Sequence, residues 1–124
     1  MKKSIVLGIL IFSVLFIQIS SALANKSAVS IGGPSNVPKG TEVTLRITVT
    51  HNANSPSHYT EWVKVTANKK EIARWDYTKD NRPEAAEVTK EIKFKVLEDT
   101  EVVAEASCVN HGSRGPAMHK ITVK

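Results

Sequence analysis

The sequence predicts an all-β fold, and three observations support this prediction. Apolar and polar residues alternate with a period of two along several segments, as they do in half-buried strands. Short clusters of Gly, Pro, Asn and Ser separate these segments. No stretch keeps a 3.6-residue apolar period over the length of a helix. About seven short strands in about 100 residues are typical of an immunoglobulin-like antiparallel β-sandwich.

Seven candidate strands follow one another along the 124-residue chain. The clearest is 42–50, where Val43, Leu45, Ile47 and Val49 alternate with Thr and Arg. The others, which are shorter or less regular, are 29–31, 59–65, 72–77, 88–96, 102–106 and 121–123. Asn68-Lys69-Lys70 predicts a hairpin turn between two of them. Because no internal repeat or linker interrupts this series, we predict one domain.

Residues 1–24 are predicted to be a secretory signal peptide. Lys2 and Lys3 form a positive region, and residues 4–19 are almost wholly apolar. Ala22-Leu23-Ala24 then places small residues at the two positions that signal peptidase recognises. The apolar run is shorter than the ~20 residues of a membrane span, so a retained anchor is disfavoured. We therefore expect cleavage after Ala24, a mature domain of residues 25–124, a periplasmic or extracellular location, and no stable membrane association.

Composition excludes several classes of protein. A hydrophobic content of 41% and a charged content of 23% are ordinary for a globular domain. The net charge is +5, or 15 − 12 = +3 without the two lysines of residues 1–24. This excess is mild and not clustered, so we expect no nucleic-acid partner. The single Cys excludes an internal disulfide, and in an oxidising compartment it is an inert core residue, a liability or a metal ligand. Composition leaves the oligomeric state open.

Two local pairs of residues suggest a metal site. His51 and His58 flank a six-residue loop, and Cys108 and His111 form a Cys-x-x-His turn after a predicted strand. A solvated surface His and a small buried Cys are the ordinary interpretations of such residues taken singly. Here three of the four His and the sole Cys lie at strand-to-loop corners of one β domain. Three imidazoles and one thiolate suit iron, zinc or copper, so we predict a metal site.

The same residues resemble a known family. His51, then His58-Tyr59-Thr60-Glu61-Trp62-Val63, and finally Cys108-Val109-Asn110-His111-Gly112, are similar to the ferrous-iron domain of desulfoferrodoxin and neelaredoxin, the superoxide reductases. The resemblance implies a mononuclear non-haem iron with His51, His58 and His111 as planar ligands and Cys108 as the axial thiolate. It also implies reduction of superoxide to hydrogen peroxide on the open face, with an unidentified external electron donor.

The chain departs from the family pattern towards its N-terminus. The family carries a fourth His in a Glu-Lys-His stretch, whereas no His precedes His51 here. Lys39 is the lysine in the corresponding part of the chain, so it is a candidate catalytic residue that attracts superoxide, or else a solvated turn residue. His119 is a candidate replacement ligand or a half-buried structural His, and Arg114 is a candidate source of positive potential near the site. The family's Cys-rich N-terminal domain is absent, so the resemblance implies the one-domain type.

Two other functions compete with this hypothesis. A cupredoxin-like copper electron carrier uses an upstream His and a Cys…His…Met array. Met118 lies seven residues after His111, which is long for that array. The other alternative is a non-catalytic domain whose metal, such as zinc, is structural. The metal content and colour of the native protein would distinguish the three.

Overall fold

The computed structural model describes residues 25–124, so the signal-peptide prediction for residues 1–24 lies outside the described residues. The described part is all-β, as predicted, and holds no helix that is long and apolar enough to cross a membrane. Its strands are β1 (Ala28–Gly32), β2 (Asn36–Val37), β3 (Thr41–Thr50), β4 (Thr60–Ala67), β5 (Lys70–Asp76), β6 (Glu87–Val96), β7 (Thr100–Cys108) and β8 (Ala117–Val123).

The strands form two sheets. One has three strands in the order β1-β3-β6, and the other has five in the order β2-β8-β7-β4-β5. Every pairing is antiparallel except that of β2 with β8, which is parallel. The structure therefore has one strand more than the seven predicted. The additional strand is β2, whose two residues are too few to show a period of two in sequence.

The core lies between the two sheets and is built from the alternating rows that the sequence shows. Along β3 the side chains of Val43, Leu45, Ile47 and Val49 are buried. They belong to one hydrophobic cluster with the inward-facing residues of the other sheet, Val63, Val65, Val102, Ala104, Ala106 and Ile121. Because successive side chains on a strand point to opposite faces, each row presents a continuous apolar surface to the opposite sheet.

The predicted turn at Asn68 joins β4 to β5. Asn68 and Lys69 both have positive φ, 47° and 70°. Two successive residues with positive φ are characteristic of a type I′ hairpin turn, whose twist matches that of the flanking strands. The hairpin prediction is therefore confirmed.

The strand ends that carry the predicted metal ligands meet at one end of the molecule. β3 ends at Thr50, immediately before His51, and β7 ends at Cys108. The first residue of β4, Thr60, pairs with Cys108 in the antiparallel register. The sheet topology therefore brings the loop before β4 to the turn after β7.

Candidate metal centre

Two of the predicted ligands continue the core-facing rows of their strands. His51 follows Val43, Leu45, Ile47 and Val49 in the same phase of β3, and its side chain is 5% exposed. Cys108 is the last member of the corresponding row on β7 and is 2% exposed. Strand periodicity therefore turns both side chains inward at the end of the core.

The other two predicted ligands, His58 and His111, are positioned by tight backbone turns. Ser55 and His58 exchange two backbone hydrogen bonds, of 2.9 and 3.1 Å, which fold the loop back immediately before β4. Cys108 and Gly112 do the same, with bonds of 2.9 and 3.1 Å, and enclose His111. Gly112 has a φ of 77°, in the left-handed region that glycine adopts without the steric cost of a Cβ. His58 is half-buried and His111 is exposed, so the cluster opens to solvent on their side.

Three of the predicted ligands form one group, and the fourth, His111, contacts two of them. His51, His58 and Cys108 each offer a ligand atom within 4.8 Å of the others. His111 Nδ1 lies 3.2 Å from His58 Nε2 and 3.8 Å from Cys108 Sγ. Two nitrogens that are each about 2.1 Å from one ion and at right angles lie about 3 Å apart. The distance between His58 Nε2 and His111 Nδ1 therefore fits two neighbouring ligands of a single metal.

Hydrogen bonding orients the His51 ring. Its Nδ1 lies 2.7 Å from the carbonyl oxygen of Ala53, and its Nε2 lies 3.0 Å from that of Asn25. A carbonyl only accepts, and a neutral imidazole has one N–H to donate. Each ring nitrogen therefore faces a carbonyl that can accept its proton, and the tautomer decides which of the two donates. A ring N–H that donates to a backbone carbonyl is the usual support of a metal-bound histidine.

The loop between β5 and β6 contacts the loop of residues 52–57, which connects His51 to His58. Asn54 Nδ2 donates a hydrogen bond of 2.7 Å to the carbonyl of Pro83. Next to it, Lys90 Nζ lies 2.9 Å from a carboxylate oxygen of Glu84. The hydrogen bond from Lys90 lowers the pKa of Glu84, and the same bond raises the pKa of Lys90. This loop is thereby fastened both to β6 and to the segment that precedes His58.

Positive side chains lie beside the buried histidine. Lys26 and Arg114 line a shallow cleft together with His51, Thr50 and Asn52. Arg114 is exposed, and its backbone N–H donates a hydrogen bond of 2.9 Å to the carbonyl of Ser27. Of these two charges, the sequence indicated only Arg114, which follows the Cys-x-x-His turn.

Lys39 and His119 lie elsewhere. Lys39 is in the turn before β3, at the opposite end of that strand from His51, and the ten residues of β3 span about 33 Å. His119 pairs with Val102 in the middle of the sheet, and its Nε2 donates to the carbonyl of Pro34 across 2.9 Å. The structure does not bring either residue to the metal cluster, and His119 instead fastens the loop before β2.

Met118, the candidate copper ligand, is also remote. It pairs with Val103, five residues before Cys108 on β7, and its side chain is 60% exposed. The Cys…His…Met array of a copper carrier is therefore not assembled among the described residues.

Sequence reasoning missed the segment that lies behind the cluster. Ser27 is fully buried, and its hydroxyl lies 2.8 Å from that of Thr60. Its backbone N–H donates to the carbonyl of Gly112 across 3.2 Å. Asn25 contacts His51, as described above. These residues carry no periodic signal, and their positions follow from long-range contacts that no local pattern encodes.

Comparison with known proteins identifies a family and several similar structures. The desulfoferrodoxin family model matches residues 21–113. The fold is similar to a superoxide reductase (neelaredoxin) from Ignicoccus hospitalis, with a TM-score of 0.65, 19% identity, and coverage of 80% of this chain and 82% of that one. A variant of that protein gives a TM-score of 0.67 at 20% identity, with 86% of each chain covered.

A protein of another kind shares the fold. The CARDB domain of a Pyrococcus furiosus protein, in complex with di-metal ions, gives a TM-score of 0.58 at 16% identity, with coverage of 79% of this chain and 87% of that domain. No curated protein sequence matches the chain. At these identities the structural likeness establishes a shared β fold.

Proposed function

The chain belongs to the desulfoferrodoxin family, and from this premise we propose that it is an exported superoxide reductase with a mononuclear non-haem iron. One observation carries the proposal: His51, His58 and Cys108 offer ligand atoms within 4.8 Å of one another, and His111 Nδ1 lies 3.2 Å from His58 Nε2 and 3.8 Å from Cys108 Sγ. Three imidazoles and one thiolate are ligands that iron accepts.

The four proposed ligands differ in their exposure to solvent. His51 and Cys108 are buried and fixed at the ends of core strands, whereas His58 and His111 form its solvent-facing wall. These residues would hold iron(II), which when bound would supply one electron to each superoxide. Two protons from solvent complete hydrogen peroxide, so the reaction needs no second oxygen species. An external donor, unidentified, returns the electron.

The residues of the cleft beside His51 suit an anionic substrate. Lys26 and Arg114 border the cleft beside His51, and the excess of basic residues extends over the mature chain. Positive charge beside a site raises the rate at which a small anion is captured, and added salt screens this effect. We therefore assign to Arg114 and Lys26 the attraction of superoxide that a lysine provides in the family pattern.

Export is part of the proposal. It rests on the three-part signal that ends at Ala24. Intact-mass analysis of the protein recovered from its native compartment is expected to give a chain that begins at Asn25. Retention of residues 1–24 would contradict processing and indicate an anchor.

Pulsed superoxide tests the chemistry. Protein loaded anaerobically with iron(II) is exposed to a pulse of superoxide, and iron oxidation, peroxide and oxygen are measured. We expect one peroxide per iron oxidised and no oxygen evolved, because the electron comes from the iron and not from a second superoxide. His119→Ala is the matched control, since it removes a histidine remote from the cluster and is expected to leave the yield unchanged.

Two outcomes would overturn the reductase proposal. One is iron that stays reduced through the pulse. The other is native protein that contains copper or zinc in place of iron, which would favour an electron carrier or a structural metal site respectively. Metal analysis of the native protein, made before any loading, separates these cases.

A further inference from the structure

One side of the sandwich is open. On the other side β1 lies against β7 and β8, which brings the two sheets together. On the open side the sheets end in β5 and β6, which do not pair with each other. Among residues 25–124, no other segment forms backbone hydrogen bonds with the outer edge of β6 between residues 88 and 95. A row of unpaired N–H and C=O groups of this kind is a template for another strand.

β6 lacks the features that usually protect an edge strand. It has ten residues and no proline, and its register with β3 runs from Glu87 to Val96 without a bulge. β5 is shorter, and the register of its pairing with β4 shifts between Val65 and Thr66. β2 has only two residues. Because bulges and short lengths discourage further pairing, β6 is the edge best suited to it.

Apolar side chains are accessible beside this edge. A groove of about 290 Å³ opens between β5 and β6 and is lined in part by Ile72, Phe94 and Leu97. The Leu97 side chain is 55% exposed. The inward-facing row of β6 contains one charged residue, Lys90, whose Nζ lies 2.9 Å from a carboxylate oxygen of Glu84. A strand laid against β6 would therefore cover apolar surface without meeting an unpaired charge.

The outward face of β6 carries its charges in a self-complementary order. The exposed residues of this face are, in sequence, Glu87, Thr89, Glu91, Lys93 and Lys95. If β6 pairs antiparallel with β6 of a second copy about Ile92, each Glu91 lies opposite a Lys93. An axis one residue away in either direction would instead place two glutamates or two lysines directly opposite each other, which is destabilising. The charge order therefore selects one register.

We propose that two copies of this chain associate through β6, paired antiparallel with Ile92 on the two-fold axis. The two three-stranded sheets then form one six-stranded sheet, and the inward row continues across the axis with Ile92 opposite Ile92. An isologous contact of this kind closes on itself and gives a dimer. Since Glu87 at the start of β6 pairs with Thr50, the two ends that carry the metal clusters point away from each other.

Charge reversal tests the pairing. Lys93→Glu places glutamates opposite each other at both symmetry-related positions, and Glu91→Lys does the same with lysines. Each variant alone is expected to dimerise at least about tenfold more weakly than the wild type, because two unfavourable pairs replace two favourable ones. An equimolar mixture of the two variants restores both opposite-charge pairs and is expected to regain the wild-type affinity.

Sedimentation of the purified, metal-free proteins at concentrations up to about 100 µM measures the dissociation constants. Lys120→Glu is the matched control, since it makes the same change of charge on β8 of the other sheet and is expected to leave dimerisation unchanged. A wild-type protein that stays monomeric over this range would overturn the proposal. So would single variants that dimerise like the wild type, or a mixture that stays as weak as its components.

A cross-link tests the register. Directly opposed residues of antiparallel strands have Cα atoms about 4.5–5.5 Å apart, which suits a disulfide. We expect Ile92→Cys to form a disulfide-linked dimer on mild oxidation. Thr89→Cys should not, because the equivalent residue of the second copy lies six positions along from the residue opposite to it. The native Cys108 is 2% exposed and serves as the background in both variants. Failure of Ile92→Cys to cross-link, or equal cross-linking of the two variants, would overturn the axis at Ile92.

Discussion

The buried hydroxyl pair of Ser27 and Thr60 is the strongest test of how the N-terminal segment is held. The two oxygens lie 2.8 Å apart, and the residues are 0% and 3% exposed. Thr60→Val keeps the shape of the side chain but leaves the Ser27 hydroxyl buried without this partner. Such a group costs about 1–3 kcal/mol. Since about 1 kcal/mol shifts the Tm of a domain of this size by about 4–8 °C, a loss near 2 kcal/mol lowers it by about 8–16 °C.

Denaturant unfolding of Thr60→Val, Ser27→Ala and the double variant measures this contribution. Removing both partners leaves no unsatisfied hydroxyl, so the double variant should lose less free energy of unfolding than the sum of the single losses. The metal is omitted so that ligand binding does not shift the equilibrium. A Thr60→Val protein within about 0.5 kcal/mol of wild type, or strictly additive losses, would refute the role given to this pair.

Three further predictions concern the metal site. Cys108→Ser should abolish the thiolate-to-metal absorption band, whereas His119→Ala should keep it; a band that survives in the serine variant would remove the thiolate from the site. Arg114→Glu should slow superoxide capture at low salt more than Lys39→Glu, which makes the same change of charge at the far end of β3; equal rates in stopped-flow measurements would rule out local attraction. Gly112→Ala should destabilise the protein by about 1 kcal/mol in thermal melts, because the φ of 77° at this position is unfavourable for a residue with a Cβ. No atom lies within 4 Å of the added Cβ, so the cost comes from the backbone conformation and not from a steric clash. An unchanged Tm would contradict this.

Most of the fold could be predicted because its strands are half-buried. The alternation along β3 is strong enough to locate a ten-residue strand within one residue of its observed start, and it also explains why His51 faces inward. β2 could not be predicted, because its two residues pair with β8 from far along the chain. A period of two is a local signal, and this parallel pairing is a long-range one.

The side chains that cluster at this end of the molecule could be selected from residue type and spacing, but the residues around them could not. Cys108 and His111 are three positions apart in one turn, so the sequence itself brings them together. His119 has the inward phase that the sequence indicates, yet phase determines the face of a sheet and not the position along the strand. Lys39 failed to reach the cluster for a similar reason: it precedes His51 by one full strand length, which separates the two in space.

The predicted ligands come from both layers of the sandwich, and this has a mechanical consequence. His51 extends the three-stranded sheet, whereas Cys108 ends a strand of the five-stranded sheet. A metal bonded to both would be a cross-link between layers that pack against each other mainly through apolar side chains. A cross-link that closes a loop of roughly 58 residues stabilises a chain by about 4 kcal/mol on entropic grounds. The end of the molecule that opens to solvent would then also be the end most resistant to separation of the sheets, so loss of that metal would loosen this end of the protein first.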